Sequence, residues 1–248
     1  MFTRLLIGLD GSPSADAALE QAVVLGSRFG ATLVVAHVRE RRGGGGDGAI
    51  LERAAERTRT AALKVETALR DGDPDTELAA LAKEADAVLV GRRGGTSRQG
   101  ELGATVSSLI KIAERCVIVC GATPSPMSAC AIAFDGRETS RRALDLAARF
   151  ASIAHSTIHV IHAAADHATG VQVVGEAEAV LSLQGVTFVT HIESGTPGEV
   201  VARVVARTNC DALFVGAHVT REGRTSKVTV SHAEQILRHT DIPVVIQP

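Results

Sequence analysis

Apolar and polar positions fall in blocks along this chain, with short unbroken apolar runs alternating with longer stretches of helical spacing. Leu5–Leu9 is a first run, bounded by Arg4 and Asp10. An apolar run of this length without polar alternation predicts a strand buried on both faces. Ser14–Phe29 carries Ala, Leu and Val at helical spacing, and Thr32–Val38 is a second apolar run. Ala49–Ala61 is amphipathic, with Glu and Arg between Ile50, Leu51, Ala54 and Ala55. Lys64–Leu69 reads as a third strand. Asp75–Glu84 reads as a helix with Pro74 at its entry, where the missing N–H costs little. A strand at Ala87–Gly91, a helix at Thr105–Ala113 and a strand at Val117–Cys120 complete the series. The alternation predicts an α/β, Rossmann-like fold: five parallel strands with helices on both faces.

The pattern then occurs again. At an offset of 125 residues, Asp10-Gly11 falls on Asp135-Gly136, Ala18-Leu19 on Ala143-Leu144, Thr32 on Thr157, Val35 on Val160 and His37 on His162. Further on, Asp86-Ala87 falls on Asp211-Ala212 and Val90-Gly91 on Val215-Gly216. The offset slips to 123 where Asp71-Gly72-Asp73-Pro74 matches Ser194-Gly195-Thr196-Pro197, and to 127 where Cys116–Val119 matches Pro243–Ile246. Agreement along a whole unit, with loop-sized slips, marks a duplicated domain. The expected domains are 1–121 and 127–248, joined by the short, fairly stiff seam Gly121–Pro126.

Composition narrows the function. The chain has 248 residues, 45% of them apolar, with no Trp or Tyr and only six Phe. Aromatic platforms for stacking bases are missing, and the net charge of −2 comes with no long basic run, so a nucleic-acid partner is not expected. No apolar run reaches the length of a membrane span, and Met1–Asp10 reads as a strand rather than a signal peptide, so a cytoplasmic location is expected. Cys116, Cys120, Cys130 and Cys210 form no CxxC pair and are expected to be reduced and semi-buried. Arg41–Gly48 is a Gly-rich loop, read as a spacer or a lid, that the second copy lacks.

In open parallel sheets, ligands gather beyond the carboxyl ends of the strands, at the point where the strand order reverses. Two stretches stand there: Asp10-Gly11-Ser12 after strand one, and Gly91-Arg92-Arg93-Gly94-Gly95-Thr96-Ser97 after strand four, leading to Gly103-Ala104-Thr105-Val106. Glycines let backbone N–H groups approach an anion, and a helix N-terminus adds unpaired N–H groups and a favourable dipole. The second stretch is therefore either a phosphate cradle or a Gly-rich surface loop with Thr105 or Ser107 capping the next helix. It is neither a GxxxxGK[ST] loop nor a GxGxxG fingerprint; GxSxG and zinc-ligand spacings are also absent. His37 and His162, at the ends of second strands, read as packed near the core. Asp10 reads as a ligand contact and Asp135 as a structural residue.

These residues carry a family resemblance. A first strand ending Asp10-Gly11-Ser12, a second ending Ala36-His37-Val38, the Val90-Gly91-Arg92-Arg93-Gly94 stretch and the close Arg238-His239-Thr240-Asp241-Ile242-Pro243-Val244-Val245-Ile246 resemble the universal stress proteins. Over nearly the whole length the chain resembles a tandem universal stress protein, with the adenine nucleotide alpha hydrolase-like fold that this implies. ATP-binding members carry G-x2-G-x9-G-[ST] after strand four. Gly91 and Gly94 match its first two glycines. Gly103 follows with a spacer of eight, and Ala104 stands in the hydroxyl position, with Thr105 as a partial substitute. The resemblance further implies that Asp10 contacts the ligand near its adenine end, that the Val38 backbone borders the adenine, and that Mg²⁺ can accompany the nucleotide. It implies last-strand pairing, Val117–Cys120 beside Val244–Ile246, as an intra-chain pseudo-dimer, with a homodimer of whole chains as a further option. Copy two keeps Gly216, but Val219 replaces the second glycine and Val230 precedes Ser231 at the third, so a degenerate site is expected there.

The resulting expectation is a non-catalytic stress-response or signalling module that binds ATP or another adenine nucleotide in domain 1 through Asp10, Val38, Gly91, Arg92, Gly94, Gly103, Ala104, Thr105 and Val106, and acts on a protein partner. The rivals are a nucleotide-free interaction protein with both pockets vestigial, and a slow nucleotide hydrolase or nucleotidyl transferase, for which no base or metal-ligand set is visible.

Overall fold

The computed structural model describes residues 1–39, 47–94, 102–217, 236–237 and 240–248. The chain divides into two units, Met1–Ser125 and Pro126–Pro248. In unit 1 the order is β1 (Arg4–Leu9), α1 (Pro13–Phe29), β2 (Thr32–Arg39), α2 (Asp47–Thr60), β3 (Val65–Asp71), α3 (Pro74–Ala82), β4 (Ala87–Gly91), α4 (Ala104–Ile112) and β5 (Cys116–Cys120). Unit 2 has β6 (Ala129–Ala133), α5 (Glu138–Ala154), β7 (Thr157–Ala163), α6 (His167–Leu183), β8 (Phe188–Glu193), α7 (Pro197–Thr208), β9 (Ala212–Gly216) and β10 (Val244–Gln247). The expected loop at Arg41–Gly48 lies mostly outside the described residues, as do Gly95-Thr96-Ser97, Val219, Val230, Ser231 and Arg238-His239.

Each unit holds five parallel strands, ordered β3-β2-β1-β4-β5 in unit 1 and β8-β7-β6-β9-β10 in unit 2. The order reverses between β1 and β4, and again between β6 and β9. Right-handed crossovers in opposite directions then place α1 and α2 on one face and α3 and α4 on the other. Side-chain contacts agree: Arg57 of α2 pairs with Glu20 of α1, and Ser108 of α4 donates to Asp75 of α3. Strands β4 and β5 are buried throughout, as their unbroken apolar runs require. At two core positions, the units differ together: Leu25 and Leu89 in unit 1 correspond to Phe150 and Phe214 in unit 2, whose rings pack with centroids 5.6 Å apart. All four cysteines are free and buried, deeper than expected, because each stands at or beside a strand in the sheet core.

Two repeated residues explain themselves in this frame. Asp86 opens β4, and its Oδ2 accepts from the Thr3 amide (2.6 Å), the Thr3 hydroxyl (2.8 Å) and the Arg4 amide (3.0 Å). Its own amide donates to the Arg4 carbonyl at 2.9 Å. Asp211 repeats this in unit 2, accepting from the Ser128 amide at 3.0 Å and the Ala129 amide at 2.9 Å. The aspartate thus ties the start of strand one to the start of strand four. At the other end, an added Cβ on Gly91 would lie 2.4 Å from the Ser14 backbone carbonyl, and on Gly216 2.4 Å from that of Thr139. Only glycine lets the first turn of α1 or α5 lie that close to the end of strand four. The seam is also anchored. Ser125 donates its amide to Gln21 Oε1 (2.7 Å) and accepts from Gln21 Nε2 (3.0 Å), both buried.

Gly91→Ala and Gly216→Ala are each expected to lower stability by about 1–3 kcal/mol or more, through overpacking against backbone that cannot move aside; urea titration of the full chain measures it. Burial raises the Asp86 carboxyl, but the Thr3 and Arg4 donors outweigh it and hold the group below the ordinary carboxylate range. A folded-state value depressed in this way contributes stability above the unfolded value, lost as pH falls through the folded one. Asp86→Asn is therefore expected to flatten the stability–pH slope below about pH 4, read from denaturation midpoints across an acid series.

Candidate functional site at the strand-order reversal of unit 1

The carboxyl ends of β1, β2 and β4 meet at one edge of the unit 1 sheet. Leu9 pairs with His37 in register, so Asp10 and Val38 each stand one residue beyond that level. Ile7 pairs with Leu89, and two residues further along each strand come Leu9 and Gly91. The turn after β1 needs the positive φ of +78° that Gly11 adopts, and its counterpart Gly136 has +75°. Ser12 then caps α1, its hydroxyl accepting from the Ala15 amide at 3.2 Å, and Pro13 occupies the first helical position. The Asp10 carboxylate accepts from the Ser12 amide at 2.9 Å and remains exposed.

The strand-four loop is tied down at both ends. The Arg93 amide donates to the Ser14 hydroxyl at 3.1 Å. The Gly103 amide returns to the Arg92 carbonyl at 3.0 Å, which brings the start of α4 back beside Gly91–Gly94. Gly103 is the N-cap of α4 and supplies no side-chain hydrogen bond. Ala104, Thr105 and Val106 follow as the first three helical residues, with Ala104 exposed, Thr105 half-buried and Val106 buried. The first turn of α4 thus presents amides that its N-cap residue leaves without a side-chain cap, where the helix dipole favours an anion. The expected caps were Thr105 or Ser107; the helix starts earlier than that reading, so both lie inside it and neither is the cap.

The sequence-expected residues Asp10, Val38, Gly91, Arg92, Gly94, Gly103, Ala104, Thr105 and Val106 all come to this one edge. Two of them carry duties inside the fold: Gly91 admits the α1 backbone, and the Gly103 N–H is engaged by Arg92. The sequence reading missed Ser14, whose hydroxyl takes the Arg93 amide. The repeat held a signal, since Thr139 puts a second hydroxyl at the matching position. It also missed Ile50 of α2, whose side chain reaches to 3.3 Å from where a Gly11 Cβ would stand. Nearby, burial pushes the Cys120 thiol up to about 12, against the smaller opposing influence of Arg92, so the thiol is favoured over the thiolate. His37 and His162 do the same structural work: each is buried, and its Nδ1 donates at 2.7 Å to the carbonyl that ends strand one, of Leu9 or Phe134.

Unit 2 treats its first-strand aspartate differently. Asp135 accepts from the Ser140 hydroxyl (2.7 Å) and the Arg137 amide (3.0 Å), and its other oxygen lies 3.7 Å from Arg137 Nε. Burial raises this carboxyl, and those donors more than reverse the effect, leaving it below the ordinary range. Position 15 in unit 1, which matches Ser140, is alanine. The Asp135 carboxylate is thereby engaged within its own turn.

A five-stranded parallel sheet with a reversal of strand order and helices on both faces defines a doubly wound α/β protein, and sequence comparison specifies the class. The profile of the universal stress protein family matches residues 1–121 and 167–248, and the chain belongs to that family. Among solved structures, a universal stress protein from Archaeoglobus fulgidus is similar at 18% identity and a TM-score of 0.80, covering 98% of this chain and 97% of that one. A putative universal stress protein from Pseudomonas aeruginosa is similar at 18% identity and a TM-score of 0.72, covering 99% and 92%. Among the curated proteins, none matches.

Asp135→Ala is expected to destabilise the protein by about 1 kcal/mol, because it removes the acceptor of the Ser140 hydroxyl and the Arg137 amide. Urea titration of the variant against the unmutated protein measures it.

Proposed function

We propose that unit 1 binds an adenine nucleotide, with phosphate at the first turn of α4 and the base towards Asp10 and Val38, and that unit 2 does not. The observation that carries this reading is the start of α4, whose Gly103 N-cap supplies no side-chain hydrogen bond, at the sheet edge where the Asp10 carboxylate stands; in unit 2 the matching Asp135 takes the Ser140 hydroxyl, which Ala15 cannot offer in unit 1. Arg92 and Arg93 add positive charge to the phosphate end, and Mg²⁺ accompanies the nucleotide there if it binds at all. Gly94 lets the loop backbone approach the phosphates, while Thr105 offers the hydroxyl that Ala104 lacks.

In this reading the protein is a non-catalytic stress-response module whose ligand biases its contact with a protein partner in the cytoplasm. Among the described residues, no cluster of three His, Cys, Asp or Glu could hold a metal ion, and no described helix is long and apolar enough to cross a membrane. The rival reading, a nucleotide-free interaction protein, draws on the Gly103 amide already engaged by Arg92 and on the missing hydroxyl at Ala104.

Thermal-shift titration with ATP and Mg²⁺ distinguishes the two. Ligand that binds only the native state stabilises by about 2.7 kcal/mol at one hundred times its Kd, so the midpoint must climb with concentration. Asp10→Ala is expected to weaken that climb and Asp135→Ala to leave its slope unchanged. A midpoint that does not move at millimolar ATP overturns the nucleotide reading and leaves the interaction protein.

A further inference from the structure

Unit 2 carries a histidine pair that unit 1 lacks. His159 on β7 and His191 on β8 take the places of Val34 and Ala68, as the matching strand registers show. His159 Nδ1 lies 3.0 Å from His191 Nε2. The ring centroids are 5.3 Å apart and the planes differ by 15°. That centroid separation equals the N···N distance plus a ring radius at each end, so the rings meet edge to edge, in line and nearly coplanar. One N–H points straight at one lone pair.

The direction of that bond follows from the next neighbour. Arg207 Nη2 on α7 lies 3.4 Å from His191 Nδ1, and a guanidinium only donates. His191 Nδ1 therefore accepts, its proton sits on Nε2, and Nε2–H donates to His159 Nδ1. His159 then carries its own proton on Nε2. Among the described residues, Glu193 on β8 also acts on His191, and Arg203 on α7 pairs with Glu193. Glu193 is already held by Arg203 (2.8 Å) and Arg207 (2.7 Å), one guanidinium on each oxygen, which offsets its pull on a new cation. On the other flank, β6 presents uncharged Ala131 in register with His159. An added proton has two places to go. On His191 Nδ1 it faces the Arg207 guanidinium; on His159 Nδ1 it displaces the bond from His191. Either way the chain breaks.

We propose that the Arg207–His191–His159 chain is a proton-operated latch, which holds α7 and β7 to the outer strand β8 near neutral pH and releases β8 in mild acid. Burial lowers both imidazoles below their ordinary value, and for His191 the charges of His159 and Arg207 add to the effect against the opposing pull of Glu193. A depressed folded-state value means that the latch contributes fully above about pH 6.5, and that its contribution fades as pH falls through the lower, folded values.

The test uses the full chain. Long-range ¹⁵N–¹H imidazole spectra at pH 7.5 are expected to show both rings as the Nε2–H tautomer, titrating below the ordinary histidine range. Amide exchange in β8, corrected for its intrinsic pH dependence, is expected to quicken about tenfold between pH 7.5 and 5.5, because opening that frees one imidazole to its ordinary value of about 6.5 gains a factor of about ten for each pH unit below it. The double variant His159→Val with His191→Ala installs the residues that unit 1 uses, and is expected to abolish that acceleration. An Nδ1–H tautomer in either ring, titration at or above the ordinary range, or the same acceleration in the double variant overturns the latch. The tautomer and titration readouts come from the unmutated protein, so they decide the matter even if the double variant does not fold.

Discussion

The site depends on one close approach, the first turn of α1 lying against the last residue of β4. A side chain on Gly91 would strike the Ser14 backbone, so the absence of a Cβ allows the helix to start where it does. With the helix there, the Ser14 hydroxyl meets the Arg93 amide, and the Asp10 turn and the β4 loop face each other across the reversal of strand order. The Asp86 carboxylate sets the opposite end of the same two strands. Fixed at both ends, β1 and β4 become a rigid floor. The loops above it can vary without loss of fold.

Duplication preserved that floor and changed what stands on it. Gly216 and Asp211 reproduce the constraint in unit 2. The first-strand turn differs by only a few residues: Ser12-Pro13 with Ala15 in one unit, Arg137-Glu138 with Ser140 in the other. Those few residues decide which donors the carboxylate beside the glycine meets: the Ser12 amide in one unit, the Arg137 amide and the Ser140 hydroxyl in the other. Unit 2 also gained polar chemistry on the α7 side of its sheet, where unit 1 has valine and alanine. The two halves thus share a framework and diverge in chemistry at both ends of their strands.

Much of this was legible in the sequence, and the parts that were not share a cause. Continuous apolar runs such as Ala87–Gly91 revealed the buried strands, and Pro74 marked a helix start, because these signals are local. The repeat located Asp86 and Gly91 but not their duties, since the partners of each lie some eighty residues away in the chain. Gly91 read as a phosphate-cradle glycine when its visible requirement is packing. The start of α4 came within one residue of its place, but its cap did not, because Gly103 caps it without a side chain and Thr105 and Ser107 were the apparent signals. His159 and His191 escaped notice because strand register, not spacing, brings them together.

The buried exchange between Gln21 and Ser125 bears on how such a chain can be cut and joined. Gln21 sits on the first helix and Ser125 beyond the last strand of unit 1, so the carboxamide is satisfied only when the whole unit has closed on itself. A recombination event that ended the unit at its final strand would strand a buried amide, at a cost of about 1–3 kcal/mol. The heritable module is therefore longer than the sheet it encloses. Leu146 occupies the corresponding place in α5, so unit 2 has no carboxamide there to satisfy.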